Sequence, residues 1–379
     1  MKDKRNKTNR KGAALLVVLF IVMAVTILSL GFLSRSDVEL ACGENMVLRA
    51  QMDYLAESGL EHAKGLIVNP QDVSQEYWTG AVGQQLVTGS DDYYDVSVVK
   101  LGACNYQIGS SAYRNKGGER VGQSNLQAEL RLDPCIAYWA GSSTTISQGV
   151  VISGDVYCNG ILTNNGTING DVFAESLSGS ISGQQKAIGE LSLVWPGLSA
   201  ANFSSHYYIG PSSYSVLNVI DPNISGVYFG PNGGNPAGVC YCNGDLSLKG
   251  GVIINGLLVV NGNLRVSGTS NTITAVKNFP ALLVSGEAEI EDGGTLEING
   301  LAQIGQRIVI SAGAENVDVN VLGGLFIENG GIDGVISGTV SVDIISVPAR
   351  ASIQTWSETG TAKRWGPAAG AFFKSIERE

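Results

Sequence analysis

The first seventy residues carry the strongest hydrophobic pattern of the chain. From Ala13 to Leu33 there is no charged residue, and a helix of that length would measure about 31 Å, close to the roughly 30 Å core of a bilayer. Residues 34–68 repeat apolar or small side chains every three to four positions, which marks one face of a continuing helix. The proline after Asn69 is a stop signal. The pattern predicts a transmembrane and amphipathic helix over 13–69.

Charges on either side of the apolar segment orient it. Residues 1–12 hold six basic side chains against one acid, whereas the residues just after Leu33 carry balanced charges. The positive-inside rule therefore predicts a single-pass protein in contact with inner (cytoplasmic) membrane lipid. Its N-terminus would lie in the cytoplasm and its body in the periplasm.

The rest of the chain has the pattern of β-structure. The runs 94–99, 106–114 and 126–132 alternate apolar and polar residues, which predicts an antiparallel strand headpiece over 70–135. From 136 to 350 the chain repeats short aliphatic runs broken by Asn-Gly or Ser-Gly, and the phrase YCNG occurs twice. Such repeats predict a β-solenoid, whose coils bury their inward side chains on one another. A β-sandwich of hairpins is the alternative.

Two segments differ from these repeats. Residues 184–240 contain clustered aromatic residues and prolines, and we expect an insertion in the solenoid there. Residues 351–379, with Trp356 and Trp365, are predicted to form a C-terminal cap over an open end of the solenoid. The predicted fold class is mainly β, with a long N-terminal helix, a small α+β headpiece and a right-handed-β-solenoid-like domain.

Composition narrows the classes of function. The chain of 379 residues has 50 glycines, which suits many short strands joined by turns. Beyond residues 1–12 it has 18 basic and 33 acidic residues, so it would repel phosphate backbones, and no nucleic-acid partner is expected. With two histidines in the whole chain, we predict no catalytic, cofactor or metal site, and we do not expect an enzyme.

Six cysteines allow disulfides if the body is exported, and 15 complete pairings are open. Cys104 and Cys135 flank the predicted headpiece strands, and a disulfide between them is one candidate. Cys158 and Cys242 occupy the same place in the two YCNG phrases. They would face the same way, as a second disulfide or as buried small residues.

The N-terminal plan resembles that of type IV pilins and pseudopilins: a short basic leader ending in glycine, an apolar helix beginning at the next residue, and an amphipathic continuation. Residues 51–63, QMDYLAESGLEHA, are similar to the corresponding helix segment of PilX-type minor pilins. The resemblance covers residues 1 to about 133.

The resemblance implies processing and assembly. A prepilin peptidase would remove the leader peptide, 1–12, by cleavage between Gly12 and Ala13, and Ala13 would be methylated. The apolar helix would then pack among other pilin or pseudopilin subunits. Major pilins carry a glutamate at the fifth mature position, where this chain has Val17, which implies a minor component. The membrane and assembly helix residues assigned in this way are Leu15, Leu16, Val17, Phe20 and Glu57.

These features support the hypothesis of a structural minor pilin in a type IV pilus or a type II secretion-like system. It would display its β domain at the membrane or the cell surface, for assembly priming or adhesion, with surface glycans as further candidate partners. The alternative is a membrane-tethered carbohydrate-binding or carbohydrate-active solenoid protein. A membrane-anchored exported protein without a pilus role fits the same N-terminal pattern.

Overall fold

The computed structural model describes only part of the chain, and beyond residue 342 only the course of the backbone. The described residues are 10–68, 78–102, 105–133, 135–190, 198–209, 212–276, 279–334, 338–343, 353–356, 362–365 and 370–378.

One helix, α1 (Arg10–Val68), runs without a break through the apolar and the amphipathic halves. Its side chains from Ala14 to Val47 are exposed. From Met52 to Ile67, by contrast, every third or fourth side chain is buried. The first half of α1 is thus a free apolar rod, and the second half packs on the headpiece.

The headpiece sheet is antiparallel, and its strands are paired in sequence order. Its first four strands are β1 (Gly80–Gln84), β2 (Asp92–Gly102), β3 (Asn105–Lys116) and β4 (Glu119–Asp133). Alternate side chains such as Val96, Ile108 and Leu130 are buried on the side of the sheet that meets α1. This is the period-two burial expected of a sheet with one covered face.

The strands between residues 136 and 343 are short. In chain order they are β5 (Ile136–Ala140), β6 (Thr144–Ile146), β7 (Val150–Ser153), β8 (Asp155–Cys158), β9 (Ile161–Asn164), β10 (Thr167–Asn169), β11 (Val172–Phe173), β12 (Ser176–Ser178), β13 (Gln185–Lys186), β14 (His206–Ile209), β15 (Ser212–Ser215), β16 (Leu217–Asn218), β17 (Asn223–Ile224), β18 (Tyr228–Phe229), β19 (Cys240–Cys242), β20 (Leu246–Lys249), β21 (Ile253–Asn255), β22 (Leu258–Val260), β23 (Leu264–Ser267), β24 (Asn271–Thr274), β25 (Leu282–Val284), β26 (Ala288–Ile290), β27 (Thr295–Ile304), β28 (Ile308–Ile310), β29 (Val317–Ile327), β30 (Ile332–Asp333) and β31 (Gly338–Asp343). Short 3-10 turns lie at Ile188–Glu190 and Ala200–Phe203.

These strands form a β-solenoid of about nine turns, which confirms the predicted fold class. Successive coils pair in parallel, as β19 does with β22 and β22 with β25. The sandwich alternative is wrong, because hairpins at the Asn-Gly turns would have paired these strands antiparallel. The hairpin of β14 and β15 is antiparallel, and it lies outside the coils.

Each full coil contributes one strand to each of three sheets, which we call faces A, B and C. Face A has the order β13-β11-β8-β5-β29-β27-β25-β22-β19-β16; face B combines β17-β20-β23-β26-β28-β30 with β6-β9-β12; face C has the order β18-β21-β24-β27-β29-β31-β7-β10. The long strands β27 and β29 belong to two faces. They turn the corner from face C to face A at Gly300 and Gly323, whose φ angles are +138° and +152°.

The strand order shows that the chain enters the solenoid in its middle. Residues 136–186 build coils outward from β5, and the chain then crosses to the opposite end at β16. Residues 217–343 stack coil upon coil back toward the start, until Leu325 of β29 pairs with Tyr138 of β5. The two arms meet along this seam, which also joins β31 to β7.

The chain crosses between the two ends along the outside of face A, and we call the described residues of this crossing, 187–190, 198–209 and 212–216, the strap. The ten strands of face A span about 43 Å at a spacing of roughly 4.8 Å. Phe203 and Tyr207 of the strap are buried against the outward side chains of face A, and Gln303 Nε2 donates a hydrogen bond to the Leu198 carbonyl at 3.1 Å. Face A is therefore buried on both sides.

Beneath the strap, the outward side chains of face A stack in register from coil to coil. They are Phe173, Tyr157, Trp139, Phe326, Gln303, Leu283, Val259 and Tyr241. The insertion predicted over 184–240 was too long, because residues 217–240 contain the strands of the first coil of the returning arm. Among the described residues from 136 to 343, the strap is the segment that leaves the solenoid path, since it has to carry the chain from one end to the other.

The Gly-Asp and Gly-Asn phrases lie at the turns between faces, where they join neighbouring coils. The Asp155 carboxylate accepts hydrogen bonds from the backbone N–H groups of Cys135 and Asp171, both at 3.0 Å. At another corner, Asp245 accepts from the backbone of Asn263, whose own side chain accepts from Glu287 in the next coil. The repeated phrases thus supply coil-to-coil bonds. Burial raises the pKa of the Asp155 carboxyl, because its charge is removed from water.

Three strands complete the chain: β32 (Ile353–Trp356), β33 (Ala362–Trp365) and β34 (Gly370–Arg378). The last of them, β34, pairs antiparallel with β4, with Gly370 opposite Asp133, and becomes the fifth strand of the headpiece. The prediction of a cap on the solenoid is wrong for residues 370–378, because β34 covers the edge of the headpiece sheet. The solenoid is therefore an insertion between two neighbouring headpiece strands.

The two hydrogen bonds that the Asp155 carboxylate accepts from the backbone should contribute measurably to the free energy of unfolding. Asp155→Ala leaves two largely buried backbone N–H groups without an acceptor, and we expect a loss of about 2–4 kcal/mol in the free energy of unfolding. Chemical denaturation of the full chain in detergent would measure it. Asp318→Ala, at an exposed outward position of β29, is the control and should stay within about 0.5 kcal/mol. Equal losses in both variants would contradict this role of Asp155.

The insertion can be tested by removing it. Because Asp133 and Gly370 are directly paired, replacing residues 134–369 by Asn-Gly should close β4 and β34 into a two-residue hairpin. With Cys104→Ser to avoid a leftover thiol, we expect a folded five-stranded headpiece. Hydrogen exchange would show it, as protection of the amides of both strands. Rapid exchange throughout β34 would contradict the prediction.

Candidate functional site: an exposed helix and a distal solenoid

The apolar half of α1 presents a surface that the described part of the chain leaves uncovered. Leu15, Leu16, Val17 and Phe20 are 58–73% exposed, and three of them help to line a shallow apolar groove along the helix. The segment has the length and composition of a membrane anchor or a signal sequence. Exposed apolar side chains over such a length require a bilayer or other helices to cover them.

The predicted cleavage junction lies at the start of this helix. Gly12 and Ala13 are described as helical backbone, and the leader residues 1–9 lie outside the described residues. The structure therefore tests neither the cleavage nor the methylation of Ala13, and both stay predictions.

The AESG segment is a packing motif between helix and sheet. Ala56, Leu60 and Ala63 are buried on the face of α1 that meets the headpiece. A Cβ on Gly59 would lie 2.2 Å from Ser110 Oγ and 3.1 Å from the ring of Tyr94, so a larger residue would require these side chains to move. Glu57 lies on the exposed side of α1. The small residues set how closely α1 packs on the sheet.

Polar contacts that sequence patterns did not indicate fix the register of α1 on the sheet. Asp53 Oδ1 accepts a hydrogen bond from Ser124 Oγ at 2.6 Å, and Gln51 Oε1 accepts one from Arg114 Nη2 at 3.0 Å. Arg114 also binds Asp92 at 2.8 Å and lowers the pKa of that carboxyl, mainly by hydrogen bonding. Gln51 and Asp53 were visible at the start of the helix segment, but no pattern named the strands opposite them.

The same contacts give the direction of β4. A Cβ on Gly122 would meet Leu48, Ser124 binds Asp53, and Leu126 pairs with Ser110 beside Gly59. β4 therefore runs in the same direction as α1, away from the apolar segment. It leads the chain into the solenoid at the end of the headpiece farthest from that segment.

The described cysteines are of two kinds: one is disulfide-bonded and the others are free thiols. Cys135 is disulfide-bonded, and its predicted partner, Cys104, lies outside the described residues. Cys158 and Cys242 are buried free thiols, so the predicted disulfide between them is wrong. Both face the solenoid interior, but six strand spacings separate β8 from β19 in face A, about 29 Å, whereas a disulfide needs Cα atoms within about 7 Å.

The acidic side chains of the solenoid have structural partners. Glu287 pairs with Arg307 at 2.8 Å, and Glu289 pairs with Arg265 at 3.3 Å on face B. Within the described ranges, no group of three or more His, Cys, Asp or Glu side chains is placed to hold a metal ion. These four side chains thus join neighbouring coils.

Comparison with known proteins gives a distant likeness. No family model and no curated protein matches the chain. Among solved structures, the crystal structure of the competence-associated pilin ComZ from Thermus thermophilus is similar to it, with 9% sequence identity over 87% of this chain and 97% of that chain, and a TM-score of 0.20. A likeness at this level carries no argument about function. The apolar N-terminal helix itself fits a pilin-like protein.

Two glycines of α1 provide a matched test of the packing motif. Gly59→Ala should reduce the free energy of unfolding by about 1–2 kcal/mol, because the new methyl group meets Ser110 and Tyr94. Gly65→Ala, where a Cβ meets nothing within 4 Å, should instead raise it by about 0.5–1 kcal/mol through helix propensity. Thermal unfolding followed by circular dichroism would measure both. Stabilisation by Gly59→Ala would contradict the packing role.

Proposed function

We propose that this protein is a minor pilin-like structural component of a type IV pilus or a type II secretion-like system, of the PilX type, inserted in the inner membrane by α1. The observation that carries the proposal is the division of α1. One half is a fully exposed apolar rod, and the other half is docked on a small antiparallel sheet through Ala56, Gly59 and Ala63. Such a helix can leave the bilayer and pack among similar helices without disturbing its own headpiece.

The position of the solenoid supports a terminal place in an assembly. It extends from the end of the headpiece farthest from the apolar segment, where a stacked filament would place the headpiece of the next subunit. The solenoid would occupy that space. Val17, in place of the glutamate of major pilins, agrees with the same role, because a bulk subunit would use the carboxylate to pair with the amine of its neighbour. The proposed work is assembly priming or adhesion.

We propose a structural rather than an enzymatic role. The carboxylates of Glu287 and Glu289 are held by arginines of neighbouring coils, which accounts for them without a reaction. The proposed partners are prepilin peptidase, other pilin or pseudopilin subunits and inner-membrane lipid, with the body of the protein in the periplasm or at the cell surface.

Leader processing tests the proposal. Co-expression with a prepilin peptidase should shorten the chain by the 12 residues up to Gly12, as measured by intact mass, and Gly12→Ala should block this. Gly31→Ala, in the same apolar segment with nothing within 4 Å of the new methyl group, is the control and should be processed normally. A chain that stays unprocessed, or one in which Gly12→Ala is still cut, would favour a tethered solenoid protein without a pilus role.

A further inference from the structure

The outward side chains of the three solenoid faces have different surroundings. The strap covers face A. On face B the outward charges pair with one another, as Arg307 does with Glu287 at 2.8 Å and with Asp333 at 3.3 Å. The described outward side chains of face C are partly or fully exposed throughout, so the described part of the chain leaves this face accessible to a ligand.

The outward side chains of face C form two in-register ladders of mainly hydroxyl and amide groups. The first ladder is Tyr228, Ile253, Thr272, Glu297, Asn320, Ser341, Val151 and Thr167. The second contains Asn255, Thr274, Asn299, Leu322, Ser153 and Asn169, and the backbone of Asp343 lies between Leu322 and Ser153 in this register. Among these described positions there is no lysine or arginine.

Several of these polar groups are held by their neighbours. Asn255 Nδ2 donates a hydrogen bond to the hydroxyl of Tyr228 at 3.2 Å, and Asn299 Nδ2 donates to Glu297 Oε1 at 2.9 Å. The Asn255 amide keeps its second N–H and its oxygen for a ligand, whereas the Asn299 amide also donates to Thr274 Oγ1 at 3.5 Å and keeps its oxygen. Groups fixed before binding lose little conformational entropy when a ligand arrives.

One end of face C also has an exposed apolar surface. Tyr228 is 64% exposed and its neighbour on the next strand, Ile253, is 43% exposed. An exposed aromatic ring whose hydroxyl is already bonded offers a flat apolar surface beside the polar ladders.

We propose that face C binds a linear, uncharged polysaccharide. Its eight strands repeat hydroxyl and amide groups about every 4.8 Å over about 34 Å, so a polymer of identical hydroxyl-bearing units meets similar groups at successive strands. The ring of Tyr228 packs on the apolar face of one sugar unit. This assignment rests on the adhesive form of the proposed function.

The chemistry of face C disfavours the other classes of ligand. A polyanion would find no basic side chain at the described outward positions and would meet Glu297 and Asp318. A protein partner would need an apolar interface centre, whereas the apolar residues Leu322 and Val151 lie on separate strands from Ile253 and Tyr228, with polar residues between them. An uncharged polymer that exchanges hydroxyl hydrogen bonds matches the face.

The test measures binding of the full chain in detergent to insoluble cellulose and to chitin, with pectate as the polyanionic probe. We expect binding to at least one of the two uncharged polymers. Tyr228→Ala should weaken this binding roughly tenfold through loss of the ring contact, and Thr274→Arg should weaken it by blocking the second ladder.

Matched controls lie elsewhere on the protein. Tyr54→Ala removes a tyrosine that is 72% exposed on α1, and Thr163→Arg places the same bulk and charge on face B. Both should bind like the unmodified chain. Circular dichroism melting would show that the four variants fold alike.

Three results would overturn the proposal: no binding to cellulose or chitin, binding that the face C variants leave unchanged, or binding to pectate alone. Leader processing is read separately by mass. A chain that is processed normally but binds neither polymer would refute the face C ligand and leave the pilin-like role in place. A chain that binds a polymer but is not processed would support the face C ligand and refute the pilin-like role.

Discussion

The pairing of β29 with β5 is the contact on which the architecture depends. It joins Leu325 to Tyr138 and makes one stack out of two arms that come from separate stretches of the chain. Because the seam also joins β31 to β7, the first coil of one arm lies against the last coil of the other. β34 can then return to β4, and the strap is required, since the chain must travel from one end of the stack to the other.

The packing of α1 shows how one helix can serve two environments. Small residues around Gly59 and the polar contacts of Asp53 and Gln51 hold its second half on the sheet. The first half needs no contact with the headpiece to be helical, because an uncharged run of this length is stable as a helix in lipid. The two halves of α1 thus have different surroundings, which suits the proposed pilin-like role.

Local patterns predicted the local parts of this structure. The period of the apolar residues gave α1, the alternation in 94–99 and 106–114 gave two headpiece strands, and the Gly-Asp and Asn-Gly phrases gave the coils. They could not give the order of the coils, because similar turns allow any coil to stack on any other. The long-range pairs of β29 with β5 and of β34 with β4 carry no local signal. The N-terminal apolar helix was therefore predictable from sequence, whereas the uncovered face of the solenoid could be identified only once the strap was located.

The adjacency of the points where the chain enters and leaves the solenoid has a mechanical consequence. Tension along α1 and the headpiece passes from β4 directly to β34 through their shared hydrogen bonds, and the coils between them in sequence lie outside that load path. Stretching the base of the molecule would not unwind the solenoid. A load applied at face C would instead be carried by the stacked strands of the solenoid. It would reach the headpiece where the chain enters the solenoid after β4 and returns to β34.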